Sequence, residues 1–175
     1  FDYYESEGVE VEARWAVTET VSLTGAATMQ ETRQLNSPFF LGVPPSVLGL
    51  DPELVYGGRF VAVGALIGIN GPFESPIPES LFTLNGVYTS PDGWGFSLGA
   101  TAVDSMYAGY TKSVVLPSYV DTRAAVFYET GNISARLNVT NLFDEKYYTP
   151  QFLFWDVFVS PSIGPRAEFT LTYNW

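Results

Sequence analysis

The feature that most constrains the fold of this chain is a strict alternation of apolar and polar side chains. In the closing segment, residues 166–175, every second residue is apolar: Ala167, Phe169, Leu171, Tyr173 and Trp175. Successive side chains of a β-strand point to opposite faces of the sheet. A two-residue period therefore predicts a strand with one apolar and one polar face.

The same alternation recurs along the chain and predicts seven antiparallel strands. They cover residues 9–15, 21–30, 81–89, 94–102, 119–128, 132–140 and 166–175. Tight turns are expected near residues 18–20, 90–93 and 129–131, and long loops at 34–79, 104–117 and 142–163. No segment shows the apolar stripe of a helix, so we predict an all-β fold.

The lengths of strands and loops favour a transmembrane β-barrel wall over the alternative, a soluble β-sandwich. A tilted strand needs about 9–11 residues to cross a bilayer, which is the length of most of these segments. Short turns on one side and long loops on the other are typical of outer-membrane barrels, with turns in the periplasm and loops outside the cell.

The positions of the charged residues support the same interpretation. All eight charged residues within the seven segments lie at polar positions of the alternation: Glu10, Glu12, Arg14, Asp121, Arg123, Arg136, Arg166 and Glu168. An arginine facing lipid at the bilayer midplane costs about 2–4 kcal/mol, which explains this sorting. We therefore predict that these eight side chains face the lumen of the barrel.

The lumen-facing charges are expected to form ladders between strands that fix the register. Arg136 is predicted to face Glu168 or Arg166, and Arg123 to lie beside Asp121 and Arg136. The four acids and four arginines balance, so the other 15 acidic and four basic residues carry the net charge of −11 in loops and turns.

The composition excludes several classes of function. The chain has no cysteine and no histidine, which removes disulfides, thiolate nucleophiles, histidine bases and the common zinc ligands. No catalytic constellation, metal site or cofactor motif is visible, so we do not expect an enzyme. With eight basic residues in total, the chain is a poor candidate for binding nucleic acid.

Two motifs carry a resemblance to a known family. The run "LNVTNLFDEKYY" (Leu137–Tyr148) and the ending "GPRAEFTLTYNW" (Gly164–Trp175) resemble the C-terminal strands of TonB-dependent outer-membrane receptors. The resemblance implies a barrel of 22 strands, an N-terminal plug domain, and uptake driven by the TonB complex through that plug. The chain is thus interpreted as the C-terminal segment, residues 1–175, of a bacterial outer-membrane receptor whose plug and other strands lie elsewhere.

The resemblance also implies a ligand and partners. The ligand is expected to be a ferric siderophore or a similar scarce nutrient, and the surroundings to be outer-membrane lipid and lipopolysaccharide. Ligand contacts are expected in the loops Met106–Ser113 and Lys146–Ser162. The candidates are Tyr107, Tyr110, Tyr148, Phe152, Phe154, Trp155 and Phe158. For Phe152, Phe154, Trp155 and Phe158, however, packing that prolongs the barrel wall or joins loop to loop is the favoured interpretation, and a surface for protein or lipid is a third.

The last strand resembles the signal that the barrel-assembly machinery reads in this family. Its apolar positions Phe169, Leu171, Tyr173 and Trp175 would carry that signal. Rings near strand ends are expected to form interfacial belts. The candidates for these belts are Trp15, Tyr88, Trp94, Tyr128, Tyr173 and Trp175.

Two other functions remain open from the sequence. A small eight-stranded barrel or passive pore is possible if Gly57–Asn70 supplies an eighth strand. A soluble β-rich adhesin or lectin is the third class.

Overall fold

The computed structural model describes residues 3–35, 42–43, 61–62, 73–74, 77–108, 114–151 and 158–175. All regular structure in these ranges is β-strand. Among the same residues, no helix has the length and hydropathy to cross a membrane.

Seven long strands and seven short ones make up the described structure. The long strands are β1 (Tyr3–Ala16), β2 (Val21–Leu35), β6 (Ser80–Thr89), β7 (Trp94–Val103), β10 (Tyr119–Thr130), β11 (Ile133–Thr140) and β14 (Arg166–Tyr173). The short strands are β3 (Gly42–Val43), β4 (Val61–Ala62), β5 (Phe73–Glu74), β8 (Met106–Tyr107), β9 (Val115–Leu116), β12 (Tyr148–Gln151) and β13 (Phe158–Pro161).

The seven long strands form one antiparallel sheet in the order β1-β2-β6-β7-β10-β11-β14. They match the seven predicted segments, so the all-β antiparallel prediction is confirmed. The strands β1 and β2 run further than predicted on the long-loop side, where Tyr3–Gly8 pairs with Gln30–Leu35. In the described ranges β1 and β14 pair with one neighbour each and form the two edges of the sheet.

One face of the sheet is apolar and exposed. Val11, Leu98 and Phe169 are 57%, 55% and 64% exposed, although all three are large apolar residues. In the register of the sheet, apolar residues of neighbouring long strands lie opposite one another, for example in the pairs Val126↔Leu137 and Leu137↔Phe169. We call this face the apolar face; among the described residues no second layer covers it. A soluble sandwich would bury these side chains, so the barrel-wall interpretation is the one that the structure supports.

Aromatic residues of the apolar face collect near the short turns. The ring centroids of Trp94 and Tyr128 lie 4.6 Å apart, and those of Tyr88 and Phe96 lie 5.3 Å apart. Trp15 and Tyr173 stand close to the same end of their strands. Amphipathic rings prefer the boundary between hydrocarbon and headgroups, so this arrangement fits a membrane interface.

The opposite, polar face carries an apolar cluster at its long-loop end. Val103, Met106, Ala108 and Leu116 are buried together, and Leu81 and Tyr119 pack against them. Leu81, Val103 and Tyr119 are neighbours in the register of the polar face. The hairpin of β8 and β9 therefore lies against the polar face near the long loops.

The register corrects the predicted charge ladders. Arg136 lies opposite Thr170 and Phe127, whereas Glu168 lies opposite Asn138 and Arg166 opposite Thr140. Arg123 also pairs with Thr140, four residues away from Arg136. The tight turn that pairs Thr130 with Ile133 sets this register, and the alternation of residue types does not encode such an offset.

The proposed eighth strand at Gly57–Asn70 is described at two residues only. There, Val61–Ala62 pairs with Gly42–Val43 in a small separate hairpin and not with the long sheet. The rest of that segment lies outside the described residues.

Candidate functional site

The charged side chains of the polar face are arranged in rows across the strands. Arg14, Arg123 and Arg166 share one row, because the register runs Arg14↔Thr24↔Asn85↔Gly99↔Arg123↔Thr140↔Arg166. Glu12 and Asp121 share the next row towards the long loops, through Ala26, Thr83 and Thr101. A row of positive charge thus lies beside a row of negative charge.

The arginines of this face make few contacts with acids among the described residues. The Arg166 Nη2 and Glu168 Oε2 atoms lie 3.9 Å apart within β14, and both side chains are well exposed. Arg136 stacks over the Phe127 ring at 5.3 Å, and its Nε donates a hydrogen bond of 2.9 Å to Asn138 Oδ1. These exposed contacts contribute little to stability.

A pair of stacked tyrosines lies at the long-loop end of the polar face. The rings of Tyr119 and Tyr147 are parallel, with centroids 3.9 Å apart. Burial raises the pKa of the Tyr147 hydroxyl, and the negative charge of Asp121 raises it further. One oxygen of Asp121, Oδ1, is buried without a hydrogen-bond partner in the described part of the chain.

The loop between β11 and β14 begins and ends on a compact hydrogen-bonded base. Asn141, which is only 4% exposed, donates through Nδ2 to the carbonyls of Glu145 (3.1 Å) and Ile163 (2.9 Å). Its Oδ1 accepts a hydrogen bond from the Glu145 N–H at 2.7 Å. Asn141 and Asp144 both have positive φ angles, of 49° and 56°, which asparagine and aspartate tolerate better than most residues.

Ser162 completes this base from the other side of the loop. Its Oγ donates to the Glu145 carbonyl at 3.0 Å and accepts from the Tyr147 N–H at 3.2 Å. Its N–H donates to the Tyr147 carbonyl at 2.7 Å. We call Asn141, Glu145, Tyr147, Ser162 and Ile163 the loop base. The hairpin of β12 and β13 stands directly on it, since Tyr148 pairs with Pro161.

The predicted ligand-binding residues are placed only in part. Tyr148 is exposed at the start of β12, Tyr107 is half-buried in β8, and Phe158 begins β13. Tyr110, Phe152, Phe154 and Trp155 lie outside the described residues. Tyr107 and Tyr148 stand on the β8–β9 and β12–β13 hairpins, and their role in binding stays a prediction.

A cleft of about 150 Å3 lies next to Tyr107, between the β8–β9 hairpin and the long-loop end of β2. Glu31, Glu79 and Asp104 contribute carboxylates to its lining, and Met106 contributes apolar surface. Among the described residues, no group of three or more acidic side chains is arranged to hold a metal ion.

The predicted assembly signal lies on the edge strand. Phe169, Leu171 and Tyr173 occupy the apolar face of β14, and Trp175 lies exposed beyond the end of that strand. The eight charged residues predicted for the lumen all belong to the polar face of the sheet, and a bounded lumen around them stays a prediction.

The sequence did not single out the residues that hold the loop base. Asn141 and Ser162 are ordinary polar residues in a loop, and their residue types do not predict the three hydrogen bonds that each of them makes. The available signal was the run "NLFDEKYY", because asparagine and aspartate three residues apart are typical of a tight turn with positive φ angles.

Comparison with known proteins identifies the fold. No known family model and no curated protein sequence matches this chain. Among solved structures, it is similar to the siderophore receptor PiuA from Acinetobacter baumannii, with a TM-score of 0.68 and 18% identity over 97% of this chain. It is similar to the ferric-catecholate import receptor Fiu from E. coli K12, with a TM-score of 0.64 and 21% identity over 99% of the chain. The ferric yersiniabactin uptake receptor FyuA from Yersinia pestis matches with a TM-score of 0.61 and 16% identity over 98%.

The chain therefore has the fold of a segment of the β-barrel wall of these receptors. The predicted resemblance is confirmed for the fold, since nearly the whole chain superposes on these structures. The chain spans 22%, 21% and 24% of the lengths of these three receptors.

Proposed function

We propose that this chain is part of the barrel of an outer-membrane receptor that takes up a ferric siderophore with energy from the TonB complex. The observation that carries the proposal is the exposed apolar face across seven long strands. Large side chains such as Leu98 and Phe169 are more than half exposed on that face, which fits hydrocarbon better than water. The fold shared with three siderophore receptors supports the same function.

The proposal includes further strands and a plug in the same receptor. Edge strands leave backbone N–H and C=O groups without partners, which lipid does not supply. In the described ranges β1 and β14 are such edges. The chain is also about a fifth of the length of the receptors that it resembles. Both observations favour a C-terminal segment of a larger barrel over a complete small one.

The polar face is proposed to line the lumen and to contact the plug. The adjacent rows of arginines and acids offer charge of both signs, and Arg14, Arg123 and Arg136 have no carboxylate within ion-pair distance among the described residues. Charged groups of this kind select a partner with complementary charge and fix its orientation.

Ligand recognition is proposed at the long-loop end, outside the cell. Tyr107 and Tyr148 stand on the β8–β9 and β12–β13 hairpins of that end, and the cleft beside Tyr107 carries three carboxylates. Rings supply contact area for a siderophore. The acids disfavour a strongly anionic complex, so a neutral or weakly charged ferric siderophore fits this end best.

The apolar residues of β14 are proposed to serve barrel assembly, and the surroundings to be lipid and lipopolysaccharide. Phe169, Leu171 and Tyr173 form a continuous exposed stripe on the edge strand, where an assembly factor has access to them. The acidic loops suit divalent cations that bridge to phosphate groups of lipopolysaccharide.

Two measurements test the proposed function in the natural protein that carries this chain. Fractionation with electrophoresis of heated and unheated samples tests for a folded barrel in the outer membrane. Growth under iron limitation, with a panel of ferric siderophores as sole iron source, tests uptake with and without the gene and with and without the TonB complex. We expect growth on at least one siderophore to require both the gene and the TonB complex.

The alternatives give different results in the same experiments. Uptake that does not require the TonB complex, together with steady conductance in planar bilayers, would support a passive pore. Recovery of the protein in the soluble fraction without detergent would overturn the membrane assignment altogether.

A further inference from the structure

We infer that Asn141 is a positioning residue: through the loop base it fixes the β12–β13 hairpin relative to the sheet, in the orientation that ligand binding requires. This inference rests on the proposed function for its binding step. Its structural step stands on the described residues by themselves.

The loop base joins the two ends of one loop. Thr140 and Arg166 are partners in the register of β11 and β14, so the loop leaves and returns at adjacent points of the sheet. Beyond these points the Asn141 amide bridges the chain leaving β11 to the Ile163 carbonyl on the chain approaching β14. The buried Asn141 side chain therefore closes the loop just above the sheet together with Ser162, which bonds to Glu145 and Tyr147 across the same gap.

The loop is also attached to the neighbouring strand β10 at two points. The Leu142 N–H donates to the Thr122 carbonyl of β10 at 3.0 Å, and the Tyr147 ring stacks on Tyr119 of the same strand. The base of the loop is thus attached to β10 and, through Asn141 and Ile163, to the chain approaching β14. The stem of the β12–β13 hairpin is the pair Tyr148↔Pro161, directly above the base.

The bonds of Asn141 require an asparagine. Its Nδ2 serves two carbonyl acceptors and its Oδ1 serves one N–H donor, so a carboxylate at this position would set a negative oxygen against two carbonyls. Its positive φ is accessible to glycine, but glycine brings no amide. The backbone and side-chain contributions of this position are therefore separable by substitution.

The consequence for function is preorganisation. A binding loop that is held in its bound orientation loses less conformational entropy when the ligand arrives. Tyr148, a predicted ligand contact, follows Tyr147 of the base directly. Release of the base is expected to weaken binding while the barrel wall stays intact, because the seven long strands do not depend on these contacts.

The test uses three variants of Asn141 in outer-membrane vesicles: N141A, N141D and N141G. The matched control is N132A, an asparagine in the short turn at the opposite end of β11. Heat-modifiable electrophoretic mobility confirms for each variant that the barrel is folded. Where N141A fails to fold, S162A removes two bonds of the base and leaves Asn141 in place.

The first measurement is trypsin cleavage after Lys146. In the intact base the Tyr147 N–H and carbonyl are both bonded to Ser162, so the chain following Lys146 is held and cleavage requires opening. We expect all three Asn141 variants to give the fragment beginning at Tyr147 about tenfold faster than wild type, the factor for one or two lost hydrogen bonds. The N132A control should be cleaved at the wild-type rate.

The second measurement reports orientation. The chain has no cysteine, so V159C on β13 and T130C at the short-turn end of β10 accept spin labels selectively within it. Distance distributions between the labels should be narrow in the wild type and N132A and broad in N141A and N141G. A residue that only stabilised the barrel would not change this distribution in a folded sample.

The third measurement is the affinity for the ferric siderophore that supports growth. We expect N141G, N141A and N141D to weaken binding by about tenfold, and N132A to leave it unchanged. Wild-type cleavage rates and distance distributions in the Asn141 variants would overturn the inference. A broadened distribution with unchanged affinity would overturn the positioning role. Absence of any siderophore binding by the wild type would instead overturn the proposed function, with the first two measurements still deciding the structural step.

Discussion

Leucine side chains are exposed on one face of the sheet and buried on the other. On the apolar face Leu84 and Leu98 are more than half exposed, whereas on the polar side Leu116 is only 5% exposed within the apolar cluster. Among the described residues no protein covers the apolar face, whereas the β8–β9 hairpin packs against the polar face.

On the proposed membrane assignment, the medium on each side of the sheet explains where apolar groups need cover. Hydrocarbon solvates leucine as well as a protein interior does, so the apolar face requires no second layer. On the polar side, water makes exposure of apolar surface unfavourable, so the few apolar residues there gather into a cluster. Four experiments test this comparison, from the largest expected effect to the smallest.

The largest effect is expected from L98R on the apolar face. An arginine there must enter hydrocarbon, at a cost of about 2–4 kcal/mol near the midplane. The matched control is S97R, the next residue on β7, whose side chain belongs to the polar face. We expect the heat-modifiable outer-membrane form to be lost or strongly reduced for L98R and retained for S97R. Equal yields would contradict the assignment of the two faces.

The second effect compares two leucines. L116A opens a cavity in the buried cluster and should destabilise the β8–β9 hairpin by about 2–4 kcal/mol. L84A, on the apolar face, should cost much less because lipid fills the vacated space. Hydrogen exchange of the Ala108 N–H, which donates to the Val114 carbonyl at 2.9 Å, reports opening of the hairpin. Equal acceleration by both variants would show that the two leucines share one environment.

The third effect compares two ring contacts by double-mutant cycles. Arg136 and Phe127 on the polar face should couple by about 0.5–1 kcal/mol, and salt should weaken this coupling. Trp94 and Tyr128 on the apolar face should couple by about 0.5–1.5 kcal/mol, without a response to salt. Denaturant unfolding in detergent micelles at low and high salt measures both cycles. A salt-sensitive Trp94–Tyr128 coupling would contradict its assignment to lipid.

The smallest effect is the titration of Tyr147 at the long-loop end. Burial, and then Asp121, raise its pKa above the ordinary value of 10.0. The folded state therefore holds the hydroxyl proton more tightly than the unfolded state. Its contribution to stability is complete below pH 10.0 and declines as the pH rises through the folded pKa.

Ultraviolet absorbance of tyrosinate, with Y147F as the reference, isolates this titration. D121N should lower the pKa of Tyr147 and leave the contribution of burial in place. An unchanged pKa in D121N would exclude Asp121 as a cause.

The sequence determined the strands and the sorting of the two faces. The alternation at residues such as Phe96 and Leu98 encodes a strand and its lipid side together, because side-chain direction in a strand follows parity alone. Seven strands, the tight turns and the polar position of all eight strand charges were therefore predictable from local pattern. The family motifs added the expectation that the barrel resembles that of a TonB-dependent receptor.

Tertiary structure decided the register of the charges and the architecture of the long-loop end. Which residue faces Arg136 depends on the offset between strands, and parity constrains that offset only to even or odd steps. Asn141 meets Ile163, and Tyr147 meets Tyr119, across separations of 22 and 28 residues. Such contacts form because the sheet brings the loop ends together, and no pattern within a single segment contains that information.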